Sequence, residues 1–472
     1  MEVLQRTANR GSISTGYDIE NSVKMEADNS ESMTRTPSSS GNRKTWTLSF
    51  WFKRTELGAA VRLFEAWDGS TGTSALFTDA DLFILDLTAG GNYFTSSAVF
   101  RDTSAWYHFV IRVDTTQGTA SERARVYVNG SELEGSWNSN IGQNTDLTWN
   151  QNVVHYLGVF HNSGNFANGY YAEVINVDGT SLAPTAFGEV DSDSGIWKPK
   201  AASPTYGTNG FYLNFDNSGS LGADSSGNGH TWTLNNITSA DQAIDTPTNN
   251  FCTINTIEYT GGYNITNGGT QAERNGNTAW YSTTSSMGVS KGKWYWEAQF
   301  ASGATSFMAG VSIDSYISTQ ANPFDGQYLG SGSGDGGFGY NNSGNVFYNN
   351  TLTSGYGSAP STNIIGLAID MDNEKAYVSI NGTWQNSGDP TSGATGTGAI
   401  DLFLDSNGDT AFFSLCAYNP NYTHKINFGG YTTMSISSPA SDENGYGIFE
   451  FAPPSGYYAL CGKNLAEYGG TA

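Results

Sequence analysis

The chain has few of the residues that advertise chemistry. Its 472 residues include three cysteines, Cys252, Cys416 and Cys461. They are odd in number, far apart and without a C-x-x-C pair, so neither a disulfide framework nor a zinc site is indicated. Basic residues are scarce, 21 Lys and Arg against 44 Asp and Glu, for a net charge of −23. A nucleic-acid partner needs clustered Lys and Arg, and is excluded. Charged residues make up only 14%. No apolar run is long enough to cross a bilayer, so no membrane insertion is expected. The opening MEVLQRTANRGSISTG lacks the basic and apolar regions of a secretion signal. The chain is therefore expected to stay in the cytoplasm where it is made, or to leave by lysis or within a particle. No window carries a persistent helical stripe, and little helix is expected.

What is present is period-2 writing. In Trp106 to Gly130, WYHFVIRVDTTQGTASERARVYVNG, apolar residues alternate on both sides of a Thr/Ser/Gly-rich turn, and Asn129-Gly130 closes the unit. A unit of the same design recurs at Asn363 to Trp384, NIIGLAIDMDNEKAYVSINGTW, closed by Asn381-Gly382. With 13% aromatics to fill cores and 58 glycines to turn the chain, this predicts an all-β protein of two tandem antiparallel β-sandwiches. The expected division is an attachment arm at 1–20, a first sandwich at 21–220, a linker at 221–255, a second sandwich at 256–430 and a C-terminal strand segment at 431–472. In GNRKTWTLSFWFKR, Trp46, Leu48, Phe50 and Phe52 share one face. No shorter repeat is visible, so a solenoid or propeller is not expected.

Several segments carry a resemblance. WTLSFWFKR, WYHFVIRVDTT with RVYVNG, and YYAEVINVDG resemble the laminin-G-like, concanavalin-A-type jelly roll, in the version found in tail-fibre and other virion proteins of tailed bacteriophages. DSSGNGHTWTLNNI (224–237), DTPTNNF (245–251) and FEFAPPSGYYALCGKNL (449–465) resemble segments of the same phage proteins. GKWYWE, MAGVSI, GLAIDMDNEKAYVSINGTW and HKINFG, in that order, are similar to a SPRY domain, a two-sheet sandwich that binds partners through its loops.

The resemblance implies a non-enzymatic virion component, foremost a tail fibre, that touches a glycan or protein of the host surface through sandwich loops. Its arm would join other virion proteins, and analogy with fibres implies a homotrimer. A head or tail decoration protein is the first alternative, and a polysaccharide depolymerase the second. Laminin-G-like domains often hold Ca²⁺ at the rim, and Asp68, Asp79 and Asp81 are the turn carboxylates that such a site would use. No other cofactor is expected. Loops rich in aromatic and small polar residues suit recognition. In the second half, Asp335, Phe338, Tyr340, Asn341, Tyr348 and Tyr356 form one such stretch and are the expected ligand contacts.

Hydrolysis finds little support. Glycosidases of this fold set acids on one strand face, and the nearest pair, Glu173 and Asp178, falls on opposite faces of a straight strand. Glu173 reads as a solvated strand residue. His108, His155, His161, His230 and His424 are scattered and read as ordinary strand-face histidines. No Ser lies in a G-x-S-x-G elbow, and the Gly-rich run at 331–344 lacks the Lys of a phosphate loop.

Overall fold

The computed structural model describes residues 16–161, 164–192, 194–256, 262–276, 278–300, 306–313, 328–331, 337–402, 404 and 409–469. The chain divides into two compact units, one over Ile13–Asn249 and one built mainly from Asn250–Ala472. Both are antiparallel two-sheet sandwiches, so the protein is all-β, as its alternation predicts.

In the first unit one sheet runs Ser131–Glu132, Ala124–Val128, Trp106–Asp114, Thr45–Arg54, Gly169–Asp178, Ser22–Met25 and Gln242–Ala243, with Phe211–Leu213 added beside Gly169–Asp178. We call it the covered sheet. The other, the open sheet, runs Gly135–Trp137, Tyr93–Val99, Leu82–Asp86, Gly72–Phe77, Val61–Trp67, Val154–Leu157, Ser32–Arg35 and Thr233–Asn235. Trp46, Leu48, Phe50 and Phe52 all enter the core between the sheets. The hairpin read from the sequence pairs Phe109 with Val128 and Val113 with Ala124. Asn129 (φ 48°) and Gly130 (φ 80°) both take the left-handed backbone that turns the strand back.

The two faces of this sandwich differ. The outer face of the covered sheet is buried beneath the chain that follows it: Phe187 packs on Val110, Ile175 and Val177, and Trp197 reaches His108. The outer face of the open sheet is only partly buried.

In the second unit one sheet runs Tyr263–Thr266, Gln271–Arg274, Thr423–Asn427, Lys293–Gln299, Ile364–Asp370, Lys375–Ile380 and Thr383–Trp384. The other runs Tyr281–Val289, Ala411–Ala417, Phe307–Ile313, Phe338–Asn341, Asn345–Tyr348 and Thr351–Ser354. Trp294 and Trp296 are fully buried between them. Asn381 and Gly382 repeat the left-handed pair of the first hairpin.

Three expected boundaries differ from the structure. The segment 221–249 is no free linker: Leu221, Trp232 and Ile237 enter the first core, because a large indole gains more by burial than by exposure. Residues 250–255 open the second unit instead, with Cys252 and Ile254 in its core. The end of the arm is docked, Ile19 being buried with its N–H on Thr248 Oγ1 at 3.0 Å. The C-terminal segment holds a strand, Tyr458–Ala459, parallel to Lys293–Gln299. It ends in a helix, Gly462–Tyr468, that the alternation does not announce.

Candidate functional site

Strand pairing on the open sheet brings five separate strands into one row. Tyr156 pairs with Glu65, Glu65 with Ser74, Ser74 with Asp86, and Asp86 with Tyr93. Their neighbours Leu157, Phe64, Ala66, Ala75, Leu85 and Phe94 point into the core, so by alternation the row faces outward. Four strand spacings separate Tyr156 from Tyr93, roughly 19 Å.

Above the row sits an aromatic platform. Trp67 stacks on His161 with ring centroids 4.7 Å apart and planes 19° apart, and both rings are half-buried. The Glu65 carboxylate beneath them is buried and accepts from His161 N–H at 2.6 Å, with His161 Nδ1 at 3.1 Å. Burial pushes the Glu65 carboxyl above its ordinary range, against the opposing pull of the Arg62 guanidinium and of His161. Arg62 lies over the Phe160 ring at 4.3 Å and donates from Nη1 to Ser74 Oγ at 2.7 Å. Asp86 accepts Thr88 N–H at 3.1 Å and Gly90 N–H at 2.6 Å, which makes it a turn cap as well as a member of the row. A flat, half-buried indole on the same sheet face as the half-buried Tyr156 and Asp86 offers a stacking face with polar groups near it, while Glu65, Ser74 and Arg62 brace it from beneath.

The residues singled out in the sequence fall elsewhere. Phe338 and Tyr340 are wholly buried and Tyr356 nearly so, all three in the second core. Tyr340 donates from its hydroxyl to Gly357 O at 2.6 Å. Tyr348 is half-buried against the same core. Phe338, Tyr340 and Tyr356 fill the sandwich, against the expectation that they face a ligand, because they occupy the inward phase of their strands or turn back onto the core. Asn341 closes a turn, its Oδ1 accepting from Ser343 and Asn345 N–H. Asp335 lies outside the described residues. The outward phase of the same sheet is what the sequence reading missed: Trp280, Tyr328 and Phe347 pack half-buried around Met308, Leu329 and Cys416, with the exposed Tyr418 ring 5.4 Å from Trp280. Phe347 sits one residue out of phase from Val346 and Tyr348, and that was the available signal.

Of the three carboxylates expected at a calcium rim, Asp81 is already committed to protein partners. Asp81 is buried and bonded to Arg54 at 3.0 Å, Arg101 at 2.9 Å and Gly58 N–H at 2.9 Å. Its oxygens already satisfy two cations. Asp68 accepts Ser70 and Thr71 N–H within its own turn, while Asp79 is exposed. Among the described residues no three His, Cys, Asp or Glu side chains gather as a metal site would require.

Glu173 is not solvated. It sits at a bulge between Ala172 and Ile175 with φ 52°. Its buried carboxyl accepts from Tyr17 Oη at 3.0 Å and Tyr212 Oη at 2.5 Å. Burial raises it to about 7. Asp178 serves a different set, Asn42 N–H and Asn209 N–H. Ser49 Oγ lies 2.8 Å from His108 Nε2, the spacing of a nucleophile and its base. The imidazole is buried, however, and Trp197 Nε1 can only donate to Nδ1 at 2.9 Å. Nε2 therefore carries the proton and cannot take one from Ser49.

The family model described as the concanavalin A-like lectin/glucanases superfamily matches residues 28–181. No curated protein matches the sequence. Among solved structures, the human HERC1 SPRY domain is similar at 15% identity, covering 37% of this chain and 94% of that domain with a TM-score of 0.26. The TRIM65 PSpry domain aligns at 13% identity, 37% of this chain and 89% of that one, TM-score 0.28. A protein of Bacteroides ovatus described as carbohydrate-binding aligns at 14% identity, 47% of this chain and 60% of that one, TM-score 0.33. The first unit is a two-sheet sandwich of which residues 28–181 are similar to that superfamily, whose description names lectins and glucanases alike.

Proposed function

We propose that this chain is a virion component of a tailed bacteriophage, on a tail fibre or other appendage, and that it binds a host-surface glycan. The observation that carries the binding reading is the half-buried Trp67–His161 platform, with the half-buried Tyr156 and Asp86 on the same sheet face and the buried Glu65 and Ser74 supporting it from below. The phage context rests on the resemblance of 224–237, 245–251 and 449–465 to segments of such proteins, and a trimer on analogy with fibres. The binding face differs from the loops that the sequence suggests, because the loop aromatics are spent on packing. With a net charge of −23, the favoured ligand is a neutral or amine-bearing glycan, since an anionic one would be repelled.

The test is binding of the labelled full chain to host cells before and after periodate oxidation of surface sugars, together with immunogold labelling of intact particles. Sugar-dependent binding and label on tail appendages support the reading. Label spread over the head would make this a decoration protein, and label on no particle would end the virion reading. Release of reducing ends from host polysaccharide would replace binding with hydrolysis.

A further inference from the structure

The first unit buries a lysine between two acids. Lys24 Nζ lies 2.9 Å from Asp241 Oδ1 and 3.0 Å from both Glu31 oxygens, with the three side chains 1%, 8% and 2% exposed. The strands dictate the meeting: Ser22 pairs with Ala243 and Val23 with Gln242, so Lys24 stands opposite Asp241 at the next step. Val23 and Met25 point into the core, which sends Lys24 to the covered outer face. Its other register neighbour there is the fully buried Tyr170. One ammonium and two carboxylates leave a net negative charge out of water, a costly arrangement unless charge is removed.

We propose that Lys24 and Asp241 condense spontaneously into an intramolecular amide. Proton transfer within the pair gives a neutral amine and a protonated carboxyl, and Lys24 Nζ then attacks Asp241 Cγ. Asp241 Oδ2 is held by Thr238 N–H at 2.8 Å and Thr238 Oγ1 at 3.1 Å, donors placed to stabilise the oxyanion of the tetrahedral intermediate. Glu31 takes the proton from the nitrogen and returns it to the departing oxygen. The C–N bond forms, the C–O bond breaks, and one water leaves; no oxidant or co-reactant is needed. Burial raises the Glu31 carboxyl above its ordinary range, which suits a group that must both accept and release a proton. Glu31 is itself positioned by Glu26 N–H at 2.8 Å and Asn29 Nδ2 at 2.9 Å. The product would join the first strand of the unit to its last residues and close almost the whole sandwich into one covalent ring, a constraint on the unfolded chain.

The experiment is intact-mass measurement of the purified full chain after incubation at neutral pH, with fragmentation of its proteolytic peptides. The expected result is a mass lower by one water and a branched peptide joining Lys24 to Asp241. Glu31→Gln is expected to fold, by circular dichroism, and to keep the calculated mass. Lys24→Met, which also removes the buried cation, must show no water loss. Wild-type protein at its calculated mass, or a water loss that persists in Lys24→Met, would overturn the proposal and leave an ordinary buried ion-pair cluster.

Discussion

Trp197 donates its indole N–H to His108 Nδ1 at 2.9 Å. One hydrogen bond thereby sets the tautomer of a buried imidazole and ties the covering segment to the sheet below it. His108 is further sandwiched by Trp51, stacked at 4.5 Å. Trp197→Phe is expected to destabilise the first unit by about 1 kcal/mol, measured by chemical denaturation. An unchanged midpoint would show that the bond adds nothing net.

Burial lowers His108 to about 3 and His155 to about 4. The unfolded chain binds protons at these groups near 6.5 while the folded one does not. Their contribution to stability is therefore complete above about 6.5 and is lost as pH falls toward about 4 for His155 and about 3 for His108. His108→Gln is expected to flatten this acid limb, and an identical pH–stability curve for the variant would contradict the assignment.

Glu173 acts in the opposite direction. Its carboxyl is raised to about 7, so between about 4.3 and 7 the folded state holds the extra proton. Its contribution is full below that window and is lost as pH rises through 7. The stability of wild type minus that of Glu173→Gln should fall with rising pH, by roughly 3–4 kcal/mol across the window. Equal slopes for the two proteins would refute it.

In the second unit Glu297 fastens the C-terminal segment. Its carboxylate accepts Glu450 N–H at 3.0 Å, Phe451 N–H at 2.8 Å, Asn427 Nδ2 at 3.0 Å and the Tyr295 hydroxyl at 3.2 Å. Glu297→Ala strands these buried donors and is expected to cost about 3 kcal/mol. Hydrogen exchange should quicken first at the Glu450 and Phe451 amides. Uniform exchange across the unit would contradict a local clasp.

Phe338 separates core from contact. Phe338→Ala should cost about 3–5 kcal/mol of second-unit stability, read by thermal unfolding. A variant of native stability that lost glycan binding would restore Phe338 to the ligand contacts.

Local chemistry made much of this fold legible. Asn129-Gly130 and Asn381-Gly382 announce their turns because few other pairs adopt two left-handed residues cheaply. The alternation of Trp46, Leu48, Phe50 and Phe52 marks a core face for the same local reason. The candidate site was not legible. Glu65, Ser74, Asp86 and Tyr156 meet only through strand register, which is non-local. Glu173 departs from its expected exposure because one bulge breaks the alternation that predicts it. Segment 221–249 reads as a linker because strands of two or three residues are too short to show a period.

The glycan face proposed above is the open sheet around Trp67. The most direct measurement is calorimetric titration of soluble host-surface oligosaccharide into wild type, Trp67→Ala and Trp280→Ala. A loss of roughly tenfold or more in affinity is expected for Trp67→Ala, with the variant still folded by circular dichroism, since a stacked aromatic is worth about 1–3 kcal/mol, while Trp280→Ala binds as wild type. Undiminished binding by Trp67→Ala, or loss only in Trp280→Ala, would contradict it and move recognition to the second unit.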